Sequence, residues 1–334
     1  MAVPLLQVRD LCCSFITRRG EVKAVDGVSF DIAEGESLGV VGESGSGKTM
    51  TALSMLRLFG PASKVRLSGQ VLFEGRDLLR MSHKELRTVR GGRIGFVFQD
   101  PLTSLDPVVP VADQISEAIS LHTSLGRKGA RMRAIELMER VGLPNAASRA
   151  DDLPNRFSGG MRQRIMIAIA ISCNPKLLIA DEATTALDAT VQAQVLALMQ
   201  DLRRDLGMAM MVISHDLGVI AAMCDTAQVM YAGRIAERAP VPTLLRSPAH
   251  PYSEALIRLV PKMDQMVHHR LRPIPGSPPS AIGFEPGCRF APRCEYRHDR
   301  CDVMPDTRDV GGGQSAACWL VGTDREIAPT EVAS

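Results

Sequence analysis

The residues best equipped for chemistry are the eight from Gly42 to Thr49: Gly42-Glu43-Ser44-Gly45-Ser46-Gly47-Lys48-Thr49. They match Gly-x-x-x-x-Gly-Lys-Ser/Thr, follow an apolar run and lead into a helix-compatible stretch, Met50 to Leu56. Glycines let such a loop wrap until several backbone N–H groups point at one phosphate, at the positive end of the following helix. Lys48 then supplies a point charge for β- and γ-phosphates, and the Thr49 hydroxyl a magnesium ligand. A second feature, Leu177-Leu178-Ile179-Ala180-Asp181-Glu182, is an apolar run ending in two carboxylates. That suits Asp181 to a magnesium shell and Glu182 to polarising water. A third, Phe157-Ser158-Gly159-Gly160-Met161-Arg162-Gln163-Arg164, lies ahead of an apolar helical run, with a good N-cap in Ser158 and two glycines that let backbone approach an anion.

The elements that must position these groups are legible as alternating signals. Short β-type runs at 39–41, 94–98, 177–180 and 210–214 are separated by stretches of helical spacing, which predicts an α/β domain with a largely buried parallel sheet. Between about Pro101 and Arg156 the strand signal vanishes and helical patterning takes over, notably over Arg131 to Arg140, which predicts a helical subdomain inserted in the sheet domain. After about Pro240 the texture changes: Pro273-Ile274-Pro275-Gly276-Ser277-Pro278-Pro279 is a stiff linker signal, and the residues beyond it are rich in Gly, Pro and Cys.

Composition narrows the classes. A chain of 334 residues that is 45% hydrophobic can bury a large core and is not disordered. Its 39 Lys and Arg nearly balance 37 Asp and Glu, so no global positive field marks a nucleic-acid binder. The longest apolar runs, such as Ile165 to Ile171, fall far short of the roughly 20 residues that cross a bilayer. The first ten residues lack a basic segment followed by an apolar one, so no secretory signal is visible and a cytosolic location is expected.

The third feature makes the pattern specific. Phe157 to Arg164 resembles the signature loop of ABC transporter ATPases, in which Ser-Gly-Gly caps a helix facing the γ-phosphate of ATP held by the opposite subunit. The resemblance implies an ABC-type P-loop NTPase fold with an inserted helical subdomain, and further elements stand in the right order. Gln99 resembles the Q-loop glutamine that reaches magnesium and the attacking water, Ala186-Leu187-Asp188 the D-loop, and His215 the switch histidine near the γ-phosphate. Phe15 sits where the family places an aromatic ring under adenine, a stacking contact of about 1–3 kcal/mol; the other reading is an ordinary strand-core Phe. Phe157, Met161 and Ala183 depart from the family's usual Leu, Gln and Pro, but remove no phosphate ligand or titrating group. By this resemblance ATP is bound by Phe15, Gly42, Glu43, Ser44, Gly45, Ser46, Gly47, Lys48 and Thr49. Ser158, Gly159, Gly160 and Met161 act on a partner's nucleotide. Thr49, Asp181 and Gln99 serve Mg2+, Glu182 is the general base, and Gln99 and His215 complete the catalytic set.

Gln99-Asp100-Pro101-Leu102-Thr103-Ser104-Leu105-Asp106-Pro107 and Ser247-Pro248-Ala249-His250-Pro251-Tyr252 resemble the dipeptide and oligopeptide permease branch, which also includes nickel and glutathione importers. This implies an ATPase domain over residues 1–240, with its helical subdomain at about 101–160, and a small C-terminal oligopeptide-permease-type extension over 241–334. The implied partners are a second homologous ATPase in a head-to-tail dimer, two integral membrane permease subunits and an external substrate-binding protein, without nucleic acid. The implied location is the cytoplasmic face of the inner membrane. Cys288, Cys294, Cys301 and Cys318 cluster in the extension at Cys-x5-Cys-x6-Cys-x16-Cys spacing, which in a reducing compartment points to metal. The branch resemblance implies a [4Fe–4S] cluster there; structural zinc and free or paired thiols are the other readings. A cohesin-like ATPase is excluded because only residues 50–157 separate the phosphate loop from the signature, too few for its coiled coil.

Overall fold

The computed structural model describes residues 3–60, 63–185, 187–259 and 273–322. In chain order the elements begin with β1 (Leu6–Thr17), β2 (Gly20–Ile32), β3 (Ser37–Val41), α1 (Lys48–Met55), β4 (Val65–Phe73) and β5 (Arg76–Asp77). Next come α2 (His83–Val89), β6 (Ile94–Val97), α3 (Pro101–Ser104), α4 (Val111–His122), α5 (Arg127–Arg140), α6 (Gly159–Ile171), β7 (Leu177–Asp181), α7 (Ala189–Leu206) and β8 (Ala209–Ser214). The chain then adds α8 (Leu217–Met223), β9 (Thr226–Tyr231), β10 (Arg234–Pro240), α9 (Val241–Arg246), α10 (Pro251–Arg258), β11 (Arg308–Gly311) and β12 (Gln314–Ala316). Two compact units result, one made chiefly of Ile32–Ser37 and Arg80–Ile213, the other of Pro4–Asp31, Leu38–Leu79 and the described residues from Ser214 onward.

The unit holding residues 80–213 is built on the parallel strands β6, β7 and β8, registered Ile94↔Leu177 and Leu177↔Ala209. Every residue of β7 and β8 is buried, which is why their sequences run apolar instead of alternating. From Pro101 to Arg156 the chain holds only helices, turns and loops. There α4 buries Val111, Ala112, Ile115 and Ile119, and α5 buries Ala130, Ala134, Leu137 and Met138, each at helical spacing.

In the other unit β3 runs parallel to β9, with Leu38 opposite Thr226 and Val41 opposite Val229, and β10 pairs antiparallel to β9. A second sheet, in the order β2-β1-β4-β5, is antiparallel between β1 and β4. The C-terminal residues belong to this unit and are anchored to it at several points. Strand β12 pairs with β10 and with β11, placing Ala316 opposite Glu237. Glu237 is wholly buried: its carboxylate accepts from the N–H groups of Ala249 (2.8 Å) and His250 (2.9 Å) and from Gln314 Nε2 (2.8 Å). A buried carboxylate is tolerable only with such partners. Tyr231, Tyr252 and Phe290 form an aromatic cluster with centroids 4.6–5.3 Å apart. Asp26 binds both Arg234 (2.9 Å) and Arg289, which holds the Asp26 carboxyl below its ordinary range although burial alone would raise it.

His250 is the N-cap of α10, its Nδ1 accepting from Tyr252 N–H at 3.0 Å, and its ring faces Phe290. Burial pushes it down to about 4 from 6.5. The unfolded chain therefore binds this proton more readily than the folded one, so stability is complete above pH 6.5 and falls as pH drops towards 4, by up to about 3 kcal/mol from this group. Urea unfolding across that window is expected to show the loss. His250→Asn, which keeps a capping acceptor without a titrating ring, is expected to unfold with a shallower acid dependence, though from a lower baseline.

Candidate nucleotide site

The phosphate loop is fixed by its flanks. Buried β3 delivers Gly42, and α1 begins at Lys48. Gly47 caps α1 at φ 102°, and a Cβ there would stand 2.5 Å from the carbonyl oxygen of Ala24. A Cβ on Gly42 would collide with the Met230 carbonyl and crowd Ser46 Oγ. Both positions thus require glycine for space as well as for dihedral angle. Within the loop Ser46 N–H donates to Glu43 O (3.1 Å), and Gly233 N–H to Ser46 O (2.8 Å). Lys48 is 5% exposed, and its ammonium donates to the carbonyls of Gly42 (2.8 Å) and Glu43 (3.0 Å). A buried ammonium needs such partners, and these hold it over the loop. Ser46 Oγ is buried without a hydrogen-bond partner among the described residues, the condition of a donor in a loop that closes on an oxyanion.

The loop has partners far away in sequence. Glu43 N–H donates to the Tyr252 hydroxyl (2.8 Å), and the Glu43 carboxylate is forked by Arg293 at 2.6 and 3.0 Å. Phe15, half-buried on β1, meets Phe59 edge-on with centroids 5.8 Å apart. His215 is exposed just after β8 and before the α8 N-cap Asp216.

In the unit holding residues 80–213, β7 ends in buried Asp181, and Glu182 comes next at φ 46° with its N–H bonded to Ile213 O (2.9 Å). A left-handed glutamate costs roughly 1 kcal/mol or more, and such outliers gather at functional sites. Its Oε2 accepts from Gln99 Nε2 at 2.8 Å and from Thr185 Oγ1 at 3.3 Å, so Gln99 and Glu182, 83 residues apart, are brought together. Ser158 caps α6, with Met161 N–H reaching its Oγ at 3.4 Å. Ser158 and Gly159 are exposed, and a Cβ on Gly160 would strike Val191 of α7. Ala186 lies outside the described residues; Asp188 caps α7, its Oδ1 accepting from Val191 N–H at 3.0 Å.

Comparison with known proteins assigns the family. Residues 25–185 match the ABC transporter family, and residues 236–301 match the oligopeptide/dipeptide transporter C-terminal region. A putative peptide import ATP-binding protein of Brucella abortus is 48% identical over 94% of both chains. The oligopeptide transport ATP-binding protein OppD of Haemophilus influenzae is 42% identical over 95% of this chain and 97% of its own. This chain belongs to the ABC transporter ATPases of the oligopeptide/dipeptide branch. Among solved structures, the ATP-binding cassette MJ0796, a dimer in a post-hydrolysis state bound to ADP and Pi, matches with a TM-score of 0.63 at 25% identity, over 71% of this chain and 98% of that one.

Within this ABC ATPase the departure at residue 157 has a local explanation. The Arg149 guanidinium lies 4.1 Å from the Phe157 ring centroid, and Arg162 Nε donates to Phe157 O (2.9 Å), so the aromatic ring anchors the approach to the signature helix. The cysteine expectation fares differently. Cys294 is buried and its thiol is pushed up to about 12 by burial, with Cys288, Cys318 and Cys301 adding to the rise. Yet among the described residues no group of three or more His, Cys, Asp or Glu stands where it could hold a metal ion. Cys288, Cys294, Cys301 and Cys318 share a neighbourhood without forming such a ligand set, and Cys288 N–H donates to Cys301 O (2.8 Å). The donors as placed do not fit a [4Fe–4S] cluster. Sequence reasoning missed Arg293 and Tyr252 as neighbours of the phosphate loop; contacts 250 and 209 residues apart leave no local signal.

Gly47→Ala is expected to destabilise the chain by about 1–3 kcal/mol through the forced dihedral and the Ala24 contact, and to weaken MgATP binding at least tenfold. Chemical denaturation and nucleotide titration of the full chain check the two effects separately.

Proposed function

We propose that this ABC ATPase hydrolyses MgATP to drive import of dipeptides and oligopeptides through partner membrane subunits. The observation that carries the catalytic half is the buried Lys48 ammonium held over a glycine loop on the Gly42 and Glu43 carbonyls. The solute half is supported by relatives named for peptide, oligopeptide and dipeptide transport. Nickel and glutathione import are the alternative cargoes for the same engine.

In this reading the amides of residues 42–49 and Lys48 bind the phosphates, and Phe15 stacks on the base. Thr49 and Asp181 are the residues that would hold magnesium, oxygen donors suited to that hard ion, with Gln99 as a further donor in the same role. Magnesium, when bound, offsets charge on the phosphates. Glu182 takes a proton from water, Gln99 orients it through the bond the two share, and His215 steadies the γ-phosphate. Ser158, Gly159, Gly160 and Met161 present a capped helix N-terminus to the nucleotide of a second ATPase subunit, head to tail. The proposed domain limits are 1–240 for the ATPase domain, with the helical subdomain at about 101–160, and 241–334 for the extension. No helix among the described residues is long and apolar enough to cross a membrane. In this reading, from the family, the permease is two separate membrane subunits fed by an external binding protein, with this chain on the cytoplasmic face.

Glu182→Gln is expected to retain MgATP binding while lowering kcat by about 10²–10⁴-fold. Near-normal turnover in that variant would remove Glu182 as the base. Proteoliposomes carrying the assembled transporter should accumulate labelled peptide only with ATP; accumulation of nickel or glutathione instead would redirect the cargo assignment.

A further inference from the structure

The extension ends its approach on the phosphate loop itself. Arg293 closes a short 3-10 turn, residues 291–293, between Cys288 and Cys294, and its side chain is only 5% exposed. Every face of the guanidinium is engaged. Nε donates to Pro275 O (2.8 Å), Nη2 to Ile274 O (3.4 Å), Nη1 to the Tyr231 hydroxyl (3.2 Å), and both Nη atoms to the Glu43 carboxylate. Burial works against this charge, but the bonds to Glu43 and Tyr231 outweigh it and raise the arginine further above its ordinary value. Tyr252, also from the C-terminal part, receives the Glu43 N–H, while the Glu43 carbonyl receives Lys48. One loop residue is thus held at its side chain, its amide and its carbonyl.

Glu43 is an awkward residue for a phosphate loop. Amides and an ammonium gather there to attract a polyanion, and a bare carboxylate among them would oppose binding. A bidentate guanidinium cancels that charge and fixes the carboxylate plane, which a lysine cannot do in the same way. We propose that Arg293 is a positioning residue of the nucleotide site: by neutralising and anchoring Glu43, it lets the C-terminal extension set the affinity of the phosphate loop for MgATP. The proposal rests on the ATPase reading and adds to it a dependence of ATP binding on the extension.

The test is MgATP titration of the full chain, by calorimetry, for wild type, Arg293→Met, Arg293→Lys, and Arg293→Met combined with Glu43→Gln, with thermal unfolding recorded for each. Arg293→Met preserves volume and strips the charge, and is expected to weaken binding about tenfold. Adding Glu43→Gln keeps the backbone N–H of residue 43, removes the uncompensated carboxylate, and should recover most of the affinity lost in Arg293→Met. A merely structural role would lower the unfolding temperature in step with the affinity and leave too little folded chain to bind, whereas the positioning role expects the affinity loss in an Arg293→Met chain that is still fully folded at the titration temperature. Binding by Arg293→Met within twofold of wild type, or a double variant as weak as the single one, would overturn the proposal. Should Arg293→Met fail to fold, Arg293→Lys decides: a loss of about threefold or more supports the role of the fork, and unchanged affinity refutes it. Failure of the wild-type chain to bind MgATP would instead bring down the ATPase reading beneath both.

Discussion

The burial of one ammonium group constrains much of this chain. Lys48 lies beneath the surface with two carbonyls of its own loop accepting from it, and Gly42 and Gly47 allow the loop to double back so that this approach is possible. A Cβ at Gly42 or Gly47 would meet the carbonyl of Met230 or Ala24, so β9 and β2 leave the loop no room for any residue but glycine at these positions. Strand β3 must be buried and parallel to β9 for that approach to exist. The requirement to bury this cation thus propagates outward into the sheet.

A comparable economy governs the carboxylate end of β7. Asp181 is still a strand residue, whereas Glu182 leaves the strand in a left-handed conformation, held by its bond to the Ile213 carbonyl and by Gln99 and Thr185 on its side chain. Backbone strain of that kind survives only where the surroundings over-determine it. Helix α6 shows the opposite strategy, with Ser158 as a plain N-cap and exposed Gly159 opening its amide end, while Phe157 and Arg149 secure the chain just before it.

How much of this is legible in the sequence depends on how local each cause is. The phosphate loop, the apolar strands around 39–41, 94–97, 177–180 and 210–214, and the Ser158 cap are written in consecutive residues, and the family resemblance needs little more. The antiparallel sheet of β1, β2 and β4 escapes a sequence reading, because its strands are only partly buried and β1 carries a register shift between Arg9 and Cys12, with Asp10 at φ 46°, that blurs alternation. The cysteine spacing reads as metal chemistry, yet spacing fixes neither the direction of a thiol nor its distance from the next. Among the described residues no metal-ligand group forms there, and the turns from 288 to 301 carry backbone bonds such as Cys288 N–H to Cys301 O.

The C-terminal residues show most plainly why long-range structure escapes local reading. Glu237 and Glu43 are both acidic residues in otherwise ordinary surroundings, and nothing nearby in sequence marks either as paired. In the fold each is satisfied by groups from beyond residue 246: Glu237 by Ala249, His250 and Gln314, Glu43 by Tyr252 and Arg293. A carboxylate with little access to water and without those partners would be strongly disfavoured, so the unit holding β9 and β10 is incomplete until the C-terminal residues fold onto it. The extension is therefore part of the physical definition of this unit, joined to it by buried charge as well as by strand pairing and aromatic contact.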